Sequence, residues 1–263
     1  MSIIQNRATL VFRHSIVNNR IMAIAALLGI ILACGGGFLI FLGIRKTNES
    51  NTLSRYVPAD TVAGIPFGVP VVTNGTVAAD QPLTSPVTQK PCVYFEYLLE
   101  REEETKDNNG NTNWQWRQVG SPERQSIPFY LQDQSGKILI KPDGCEVNGV
   151  YRTQQFLQPG TIQDTNSIGM KLFSSVIQMT NSLNHNRERV TESVIAIGAN
   201  LNAFGIATME GEQKFLQKTN DYPLVLSPLS KDQLVGSERK TSYIYFGLGA
   251  ALVLVGLFLI AQK

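Results

Sequence analysis

The chain has 263 residues and a formal net charge of +2. Hydrophobic residues make up 43% of it, which excludes disorder along the whole chain, and its 22 glycines and 12 prolines follow no collagen-like repeat. Three cysteines are too few for a disulfide-rich scaffold or a four-cysteine metal site. Residues 1–46 and 241–263 are basic without any acidic residue, whereas residues 47–240 carry a net charge of −4. No basic patch therefore favours nucleic acid as a partner.

A short basic N-terminal segment, residues 1–20, leads into an uncharged apolar run over residues 21–44. At 1.5 Å per residue this run is long enough to cross a hydrocarbon core of about 30 Å, so it predicts a transmembrane helix. A cleaved signal peptide would have a shorter apolar core. The segment ending at Cys34 loosely resembles a lipoprotein signal, but further apolar and small residues follow that cysteine, which disfavours lipidation.

Residues 243–261 form a second uncharged apolar run and predict a second transmembrane helix. Both spans carry small residues four apart, a spacing that lets membrane helices approach closely. The candidate helix-packing residues are Ala25, Gly29, Ala33 and Gly37 in the first span and Gly247 and Ala251 in the second. Two interpretations stay open. Either the spans pack on each other or on a second copy, or the pattern only reflects how common Gly and Ala are in membrane helices.

Between the spans, residues 45–60 are polar and aperiodic and predict a tether, and residues 61–240 predict one β-rich domain. Short β-branched and aromatic segments alternate there with turn signals, which include Asp133-Gln134-Ser135-Gly136 and Asn108-Asn109-Gly110-Asn111. One amphipathic helix is predicted from apolar residues three and four apart, namely Ile168, Leu172, Val176, Met179 and Leu183. A short helix from Ser230 to Glu238 is expected to run into the second span.

The predicted fold class is therefore α+β, mainly β. It consists of one β-rich domain with a short amphipathic helix, bracketed by two transmembrane helices.

The domain offers few side chains for catalysis. His185 is its one histidine and lies in a polar run typical of an exposed loop, and no G-x-S-x-G motif is present. Glu100, Glu102, Glu103 and Glu104 form an acidic run that is typical of a solvated loop. The alternative is a membrane hydrolase that uses these carboxylates or His185. We expect no catalytic residue, no metal and no cofactor, and we identify no small-molecule substrate.

Two further pairs of residues in the domain leave alternatives open. Cys92 and Cys145 are either bonded in an oxidising compartment or, as we favour, packed as small apolar side chains. Trp114 and Trp116 alternate on one predicted strand and therefore share a face. We favour core burial for both tryptophans, because aromatic burial dominates sheet packing, and the alternative is an exposed anchor for a partner.

A series of motifs runs in order through the domain. It starts with Pro82-Leu83-Thr84-Ser85-Pro86 and Pro91-Cys92-Val93-Tyr94-Phe95-Glu96, and continues with Trp114 or Trp116, Ile127-Pro128-Phe129, Asp133-x-x-Gly136, Lys141-Pro142, the segment with Gly198 and Gly205, and Pro223-Leu224-Val225-Leu226-Ser227. Over roughly residues 60–260 the chain resembles the GIDE domain family, also called BAM for "beside a membrane". That family includes mitochondrial outer-membrane E3 ubiquitin/SUMO ligases and their chloroplast relatives.

The resemblance implies that certain motif positions are structural or partner-binding residues. They are Pro82, Leu83, Ser85, Pro86, Cys92, Tyr94, Trp114, Trp116, Pro128, Phe129, Asp133, Gly136, Pro142, Gly198 and Gly205. It also implies two spans around a domain that meets partners, and a RING finger that performs ubiquitin transfer. The sequence contains no RING and no set of zinc ligands, so we expect no ligase chemistry on its own residues.

The leading hypothesis is a non-catalytic, membrane-anchored recognition or scaffold module. It would bind a protein partner, or a second copy of itself, next to the lipid bilayer. The alternatives are a component of a ubiquitin-type E3 ligase whose RING is supplied in trans, and the membrane hydrolase. Charges flanking the first span do not decide the orientation. By analogy with the family, the termini would lie on the cytoplasmic side and the domain on the opposite side.

Overall fold

The computed structural model of the protein describes residues 2–107, 110–150, 152–157, 187–211 and 213–261, the first twenty of them as backbone alone. The chain divides into two compact units, one formed by residues 1–55 with 231–263 and the other by residues 56–230. The predicted amphipathic helix around residues 168–183 and His185 lie outside the described residues.

Two antiparallel helices form the first unit. Helix α1 covers Ser2–Ser54 and helix α2 covers Lys231–Ala261. The stretch Met22–Ser54 and the whole of α2 are long and apolar enough to cross a membrane. Helix α2 is continuous, so the predicted short helix does run into the second apolar run.

Helix α1 continues past the first apolar run, whereas the sequence predicted an aperiodic tether from residue 45. Side-chain pairs within the helix support this extension. Glu49 accepts from Arg45 at 3.2 Å and from Lys46 at 2.6 Å, four and three residues away. Lys46 also reaches Glu238 of α2 at 3.0 Å. The polar composition after residue 44 therefore wrongly predicted a tether, because these polar side chains pair along helix α1 and with helix α2.

The two helices meet along rows of small residues spaced seven apart, which we call the seam. Its buried positions are Gly29, Gly36, Gly43 and Ser50 on α1 and Ser242, Gly249 and Gly256 on α2. A Cβ added to Gly36 would lie 2.6 Å from the carbonyl oxygen of Gly249, so the two backbones are in contact. Near the end of the apolar runs, the Ser242 hydroxyl donates to the Gly43 carbonyl at 2.9 Å. The seam joins the two apolar helices into one hairpin.

The second unit contains the strands of the protein that the structure describes. They are β1 (Val57–Pro58), β2 (Pro70–Ala78), β3 (Leu83–Thr84), β4 (Pro91–Lys106), β5 (Thr112–Ser126), β6 (Phe129–Asp133), β7 (Gly136–Ile140), β8 (Glu146–Val147), β9 (Arg152–Leu157), β10 (Glu188–Ala196), β11 (Asn200–Glu210), β12 (Gln213–Gln217) and β13 (Val225–Ser227). With the two terminal helices, this content confirms the predicted fold class, α+β and mainly β.

Five of the strands close into a small barrel. The pairings run from β2 to β6, β7, β12, β11 and back to β2, and the β7–β12 pair is parallel while the others are antiparallel. Side chains such as Leu131, Ile138 and Leu216 fill the interior. A Cβ added to Gly205 would lie 2.7 Å from a methyl group of Leu216, so only glycine fits that inward position. Strands β1, β13 and β8 extend the barrel sheet at its margins.

The remaining strands form a second, antiparallel sheet in the order β9, β10, β4 and β5, with β3 pairing to the start of β4. Strands β4 and β5 pair with each other as a long antiparallel hairpin. The last residue of β4 that pairs with β10 is Arg101, opposite Glu188. Beyond it, within the described residues, residues 103–106 of β4 pair only with residues 112–115 of β5. The hairpin therefore projects past the rest of the sheet.

Candidate functional site

Three reciprocal Arg–Glu pairs join β4 to β10. Arg189 binds Glu100 through two hydrogen bonds of 2.7 and 2.9 Å, and Arg187 binds Glu102 through two of 2.7 and 2.8 Å. The third pair has the opposite polarity, with Arg101 of β4 donating to the buried Glu188 of β10 at 2.6 Å. The predicted solvated loop is wrong here, because the acidic run is part of a strand whose neighbour supplies matching arginines.

The ion pairs also fix the charge of these carboxylates. Hydrogen bonds from Arg189 lower the pKa of Glu100 below its ordinary value, and hydrogen bonds from Arg187 do the same for the pKa of Glu102. A general acid needs a raised pKa and a nucleophile needs a free lone pair. Both carboxylates are ionised and their oxygens are occupied by guanidinium groups. This arrangement does not favour the hydrolase alternative.

Aromatic side chains lie on the same face of the sheet as the Arg189 pair. The Arg189 guanidinium lies 4.4 Å from the centroid of the Trp116 ring, and the Phe156 ring centroid is 6.0 Å from that of Trp116. Phe156 is 64% exposed and Trp114, on the projecting part of β5, is 53% exposed. We call Trp114, Trp116, Phe156 and Arg189 the aromatic surface.

The prediction that both tryptophans are buried in the core is therefore wrong. They do share one face of β5, where they stand opposite Glu104 and Glu102 of β4. Trp114, however, lies beyond the last β4–β10 pair, where β4 and β5 are the only strands of this sheet among the described residues. Such a ribbon has little surface to cover an indole ring. The exposed-anchor alternative fits Trp114 better.

Among the described residues, the outer edge of β5 has no strand beside it, because β5 pairs only with β4. The edge is regular from Thr112 to Val119 and then bulges, because residues 120–122 stand opposite the single residue Leu98. Gly120 has a φ of 74°, and Pro122 has no N–H to donate. The bulge therefore limits strand addition to the first eight residues of β5.

The first family motif, from Pro82 to Pro86, belongs to a loop that a buried carboxylate holds in place. Glu192 of β10 is fully buried and accepts hydrogen bonds from the Val87 N–H, the Thr88 N–H and the Thr88 hydroxyl at 2.7–2.9 Å. Ser85 closes the loop by bonding to Lys90 through its N–H and its hydroxyl. Leu83 pairs with Cys92 across β3 and β4. Glu192 was not predicted as a site residue, although a charged residue within an apolar strand was a visible signal.

The later motif residues occupy turns and core positions of the barrel. Asp133 accepts from the Ser135 hydroxyl and N–H, from the Gly136 N–H and from the Val62 N–H, and these bonds lower its pKa. The turn that follows Asp133 was predicted correctly. The other positions are structural in kind: Phe129 and Tyr94 are buried, Pro128 and Pro142 flank strands, Gly198 has a φ of 79° in the β10–β11 turn, and Gly205 lies inside the barrel.

Cys92 and Cys145 are free thiols, as is Cys34. Burial raises the pKa of both Cys92 and Cys145 to about 11, so these thiols are protonated and weakly nucleophilic at neutral pH. This state fits the interpretation that they are packed as apolar side chains. Among the described residues, no group of three His, Cys, Asp or Glu side chains is placed to hold a metal ion.

The structure distributes the predicted helix-packing residues unevenly. Gly29 and Ala33 face Gly256 in the seam. Ala25 is half-buried, whereas Gly37, Gly247 and Ala251 are exposed, with open space around the two glycines. The contact thus follows a spacing of seven residues and not the spacing of four that the sequence suggested. The residues missed by that prediction are Gly36, Gly43, Ser50, Ser242, Gly249 and Gly256.

Comparison with known proteins relates the chain to one described family. A family model named GIDE and described as an E3 ubiquitin ligase matches residues 97–261, which is more than half of the chain. No curated protein and no solved structure matches the chain. The matched range covers β5, the three Arg–Glu pairs, the aromatic surface, the barrel strands from β6 onward and α2.

Proposed function

Because the chain belongs to the GIDE family and is thereby related to E3 ubiquitin ligases, we propose that it is a membrane-anchored recognition module that binds a protein partner. Its contact region is the aromatic surface, and its anchor in the lipid bilayer is the hairpin of α1 and α2. The observation that carries the proposal is the exposure of Trp114 beside Phe156 on a sheet held rigid by three Arg–Glu pairs.

The Trp and Arg side chains of the aromatic surface are suited to binding a protein partner. Trp and Arg dominate the energetics of protein interfaces, because each combines a large apolar face with a polar group. Arg189 is held by Glu100 and lies over Trp116, so its side chain loses little further entropy when a partner binds. The Arg–Glu pairs neutralise charges that would otherwise repel a partner or hold water at the contact surface. The surface is thus ordered before binding.

Membrane placement is part of the same proposal. In this proposal each of the two apolar helices crosses the bilayer once. Both termini then lie on one side of the bilayer and residues 56–230 lie on the other. We place the termini on the cytoplasmic side and the domain on the opposite side, following the family resemblance.

The test uses the full chain in its native membrane. A photo-crosslinking amino acid at Trp114 should capture a protein, whereas the same group at Phe67, another exposed aromatic residue of the second unit, should not. Once the partner is identified, Trp114→Ala should weaken binding about 30-fold, the cost of losing a central aromatic anchor. Equal capture at both positions would contradict the proposal. Equal affinities of Trp114→Ala and Phe67→Ala for the partner would contradict it too.

The family description favours a second candidate, a component of an E3 ligase. In this case the chain would hold a substrate while a RING-bearing partner activates the ubiquitin-charged conjugating enzyme. The distinguishing measurement is discharge of ubiquitin from that enzyme in vesicles that contain the full chain. Faster discharge with the chain alone would show transferase activity on this chain. Faster discharge only after a RING protein is added would assign the chain a recognition role within a ligase.

A further inference from the structure

The open edge of β5 has a sequence that can pair with itself. We propose that two copies of this chain associate by antiparallel pairing of β5 with β5 of the second copy, about a twofold axis at Gln115. This inference rests on the proposed function and names a second copy as one partner of that region. It joins the five-stranded sheets of the two copies into one continuous sheet of ten strands.

The regular edge has two defined ends. On one side lies the hairpin loop, where the Asp107 carboxylate accepts from the Asn111 N–H at 2.8 Å and closes the turn. On the other side lies the bulge at Gly120 and Pro122. Between them residues 112–119 have no strand on their outer side within the described part of the chain. With the axis at Gln115, Thr112 stands opposite Gln118 of the second copy, so the whole ladder falls inside this window.

The register follows from the side chains. Residues directly opposite each other in an antiparallel pair lie on the same face, close enough for contact. An axis at Gln115 sets Trp114 opposite Trp116 of the second copy, and the symmetry repeats this pair, so four indoles form one cross-strand cluster. An axis at Trp116 would give one Trp–Trp pair, and an axis at Arg117 would set two arginines opposite each other.

The charges along the edge are compatible with a second copy as the occupant. Arg117 is the one charged residue of the window, and it already binds Glu103 at 3.1 Å. In the proposed register Arg117 stands opposite Asn113, an exposed neutral residue, so like charges do not meet. A peptide partner recognised by charge would find little net charge along this edge.

The first experiment is cross-linking of the full chain in bilayer nanodiscs or native membranes, with Cys34 changed to serine. Gln115→Cys should give a covalent dimer with a short bis-maleimide, because the two substituted residues face each other across the axis. Gln125→Cys is the matched control, an exposed residue of the same strand beyond the bulge, and should remain monomeric. Failure of Gln115→Cys to cross-link, or equal cross-linking of both variants, overturns the inference.

The second experiment tests the register by charge. Asn113→Asp sets a carboxylate opposite Arg117 twice per dimer and should strengthen dimerisation about tenfold, whereas Asn113→Lys should weaken it by a similar factor. Dimer fractions from dilution in vesicles give both values, and tryptophan fluorescence checks that each variant is folded. Changes in the same direction, or none, overturn the register and with it the inference. Capture of a different protein at Trp114 without any dimer would leave the proposed function standing and remove this inference alone.

Discussion

Glu192 and Glu100 are two carboxylates on neighbouring strands with different tasks. Glu192 is fully buried and is satisfied by two backbone N–H groups and one hydroxyl, so it organises the loop before β4. Glu100 is partly exposed and is satisfied by one guanidinium group, so it fixes the position of Arg189 over the Trp116 ring. Removing the first should affect folding, and removing the second should affect the order of the aromatic surface.

We expect Glu192→Ala to destabilise the second unit by about 2 kcal/mol, because it leaves the half-buried N–H groups of Val87 and Thr88 without an acceptor. Urea unfolding of the full chain in detergent measures the effect by tryptophan fluorescence, since both tryptophans lie in β5. Glu104→Ala, at an exposed position of β4, is the control and should change stability by less than about 0.5 kcal/mol. Equal losses in the two variants would disprove the role given to Glu192.

The Arg–Glu pairs predict a dependence on acid. The pKa of Glu100 is lowered in the folded state, so the ionised form is favoured there and its contribution is complete above the unfolded value near 4.5. That contribution disappears as the pH falls through the lower folded pKa. Acid titration of Trp116 fluorescence should therefore show a transition below pH 4.5. In Glu100→Gln the amplitude of this fluorescence transition should fall. An unchanged titration curve would show that the Glu100–Arg189 pair does not control the contact of Arg189 with the Trp116 ring.

At the scale of elements, the sequence predicted which segments form strands better than how they pair. Alternating apolar residues located most of the long strands and the turn at Asp133, because those signals are local. Closure of the barrel depends on β2 pairing with β11 and β7 with β12, partners far apart in sequence for which the local pattern gives no register. The complementary segments Glu100-Arg101-Glu102 and Arg187-Glu188-Arg189 were a visible sign of the β4–β10 register.

The seam predicts a difference between two glycines of α2. A leucine at Gly249 would collide with the Gly36 carbonyl and Ile40, whereas the space at Gly247 is open. We expect Gly249→Leu to separate the helices at a cost of about 1–3 kcal/mol and Gly247→Leu to leave them together. Cysteines at Thr47 and Ser242, whose hydroxyl oxygens are 2.7 Å apart, report the contact as an intramolecular disulfide. Similar disulfide yields in both leucine variants would contradict the seam.

At the scale of the whole molecule, the protein consists of a helical hairpin and a β unit, and the sequence of the β unit lies between the sequences of the two helices. The sequence predicted both parts from charge and hydropathy, because an uncharged apolar run of this length has few alternatives. It could not predict the exposure of the tryptophans, since burial depends on whether a second layer covers the strand. The exposure of each tryptophan depends on how many strands pair beside it, and that number is a property of the assembled sheet.

The proposed placement of the β unit on the side opposite the cytoplasm can be tested with an impermeant thiol reagent, with Cys34 changed to serine. Cys92 is a poor reporter because it is fully buried, so an added cysteine at the exposed Ser121 is the better choice. We expect Ser121→Cys to be labelled in intact cells and Ser2→Cys only after permeabilisation. The reverse pattern would place the domain in the cytoplasm and would redirect the search for partners to that compartment.

The seven-residue step of the seam couples the lengths of two segments that are almost 200 residues apart in the chain. Because Gly29, Gly36 and Gly43 of α1 meet Gly256, Gly249 and Ser242 of α2, deleting seven residues from both helices between matching positions keeps small residues against small residues. Deleting four residues from one helix alone would turn larger side chains toward its neighbour. Insertions and deletions in the two helices are therefore expected to occur in matched pairs. Such correlated length changes could be sought directly in related sequences, without any measurement on the protein.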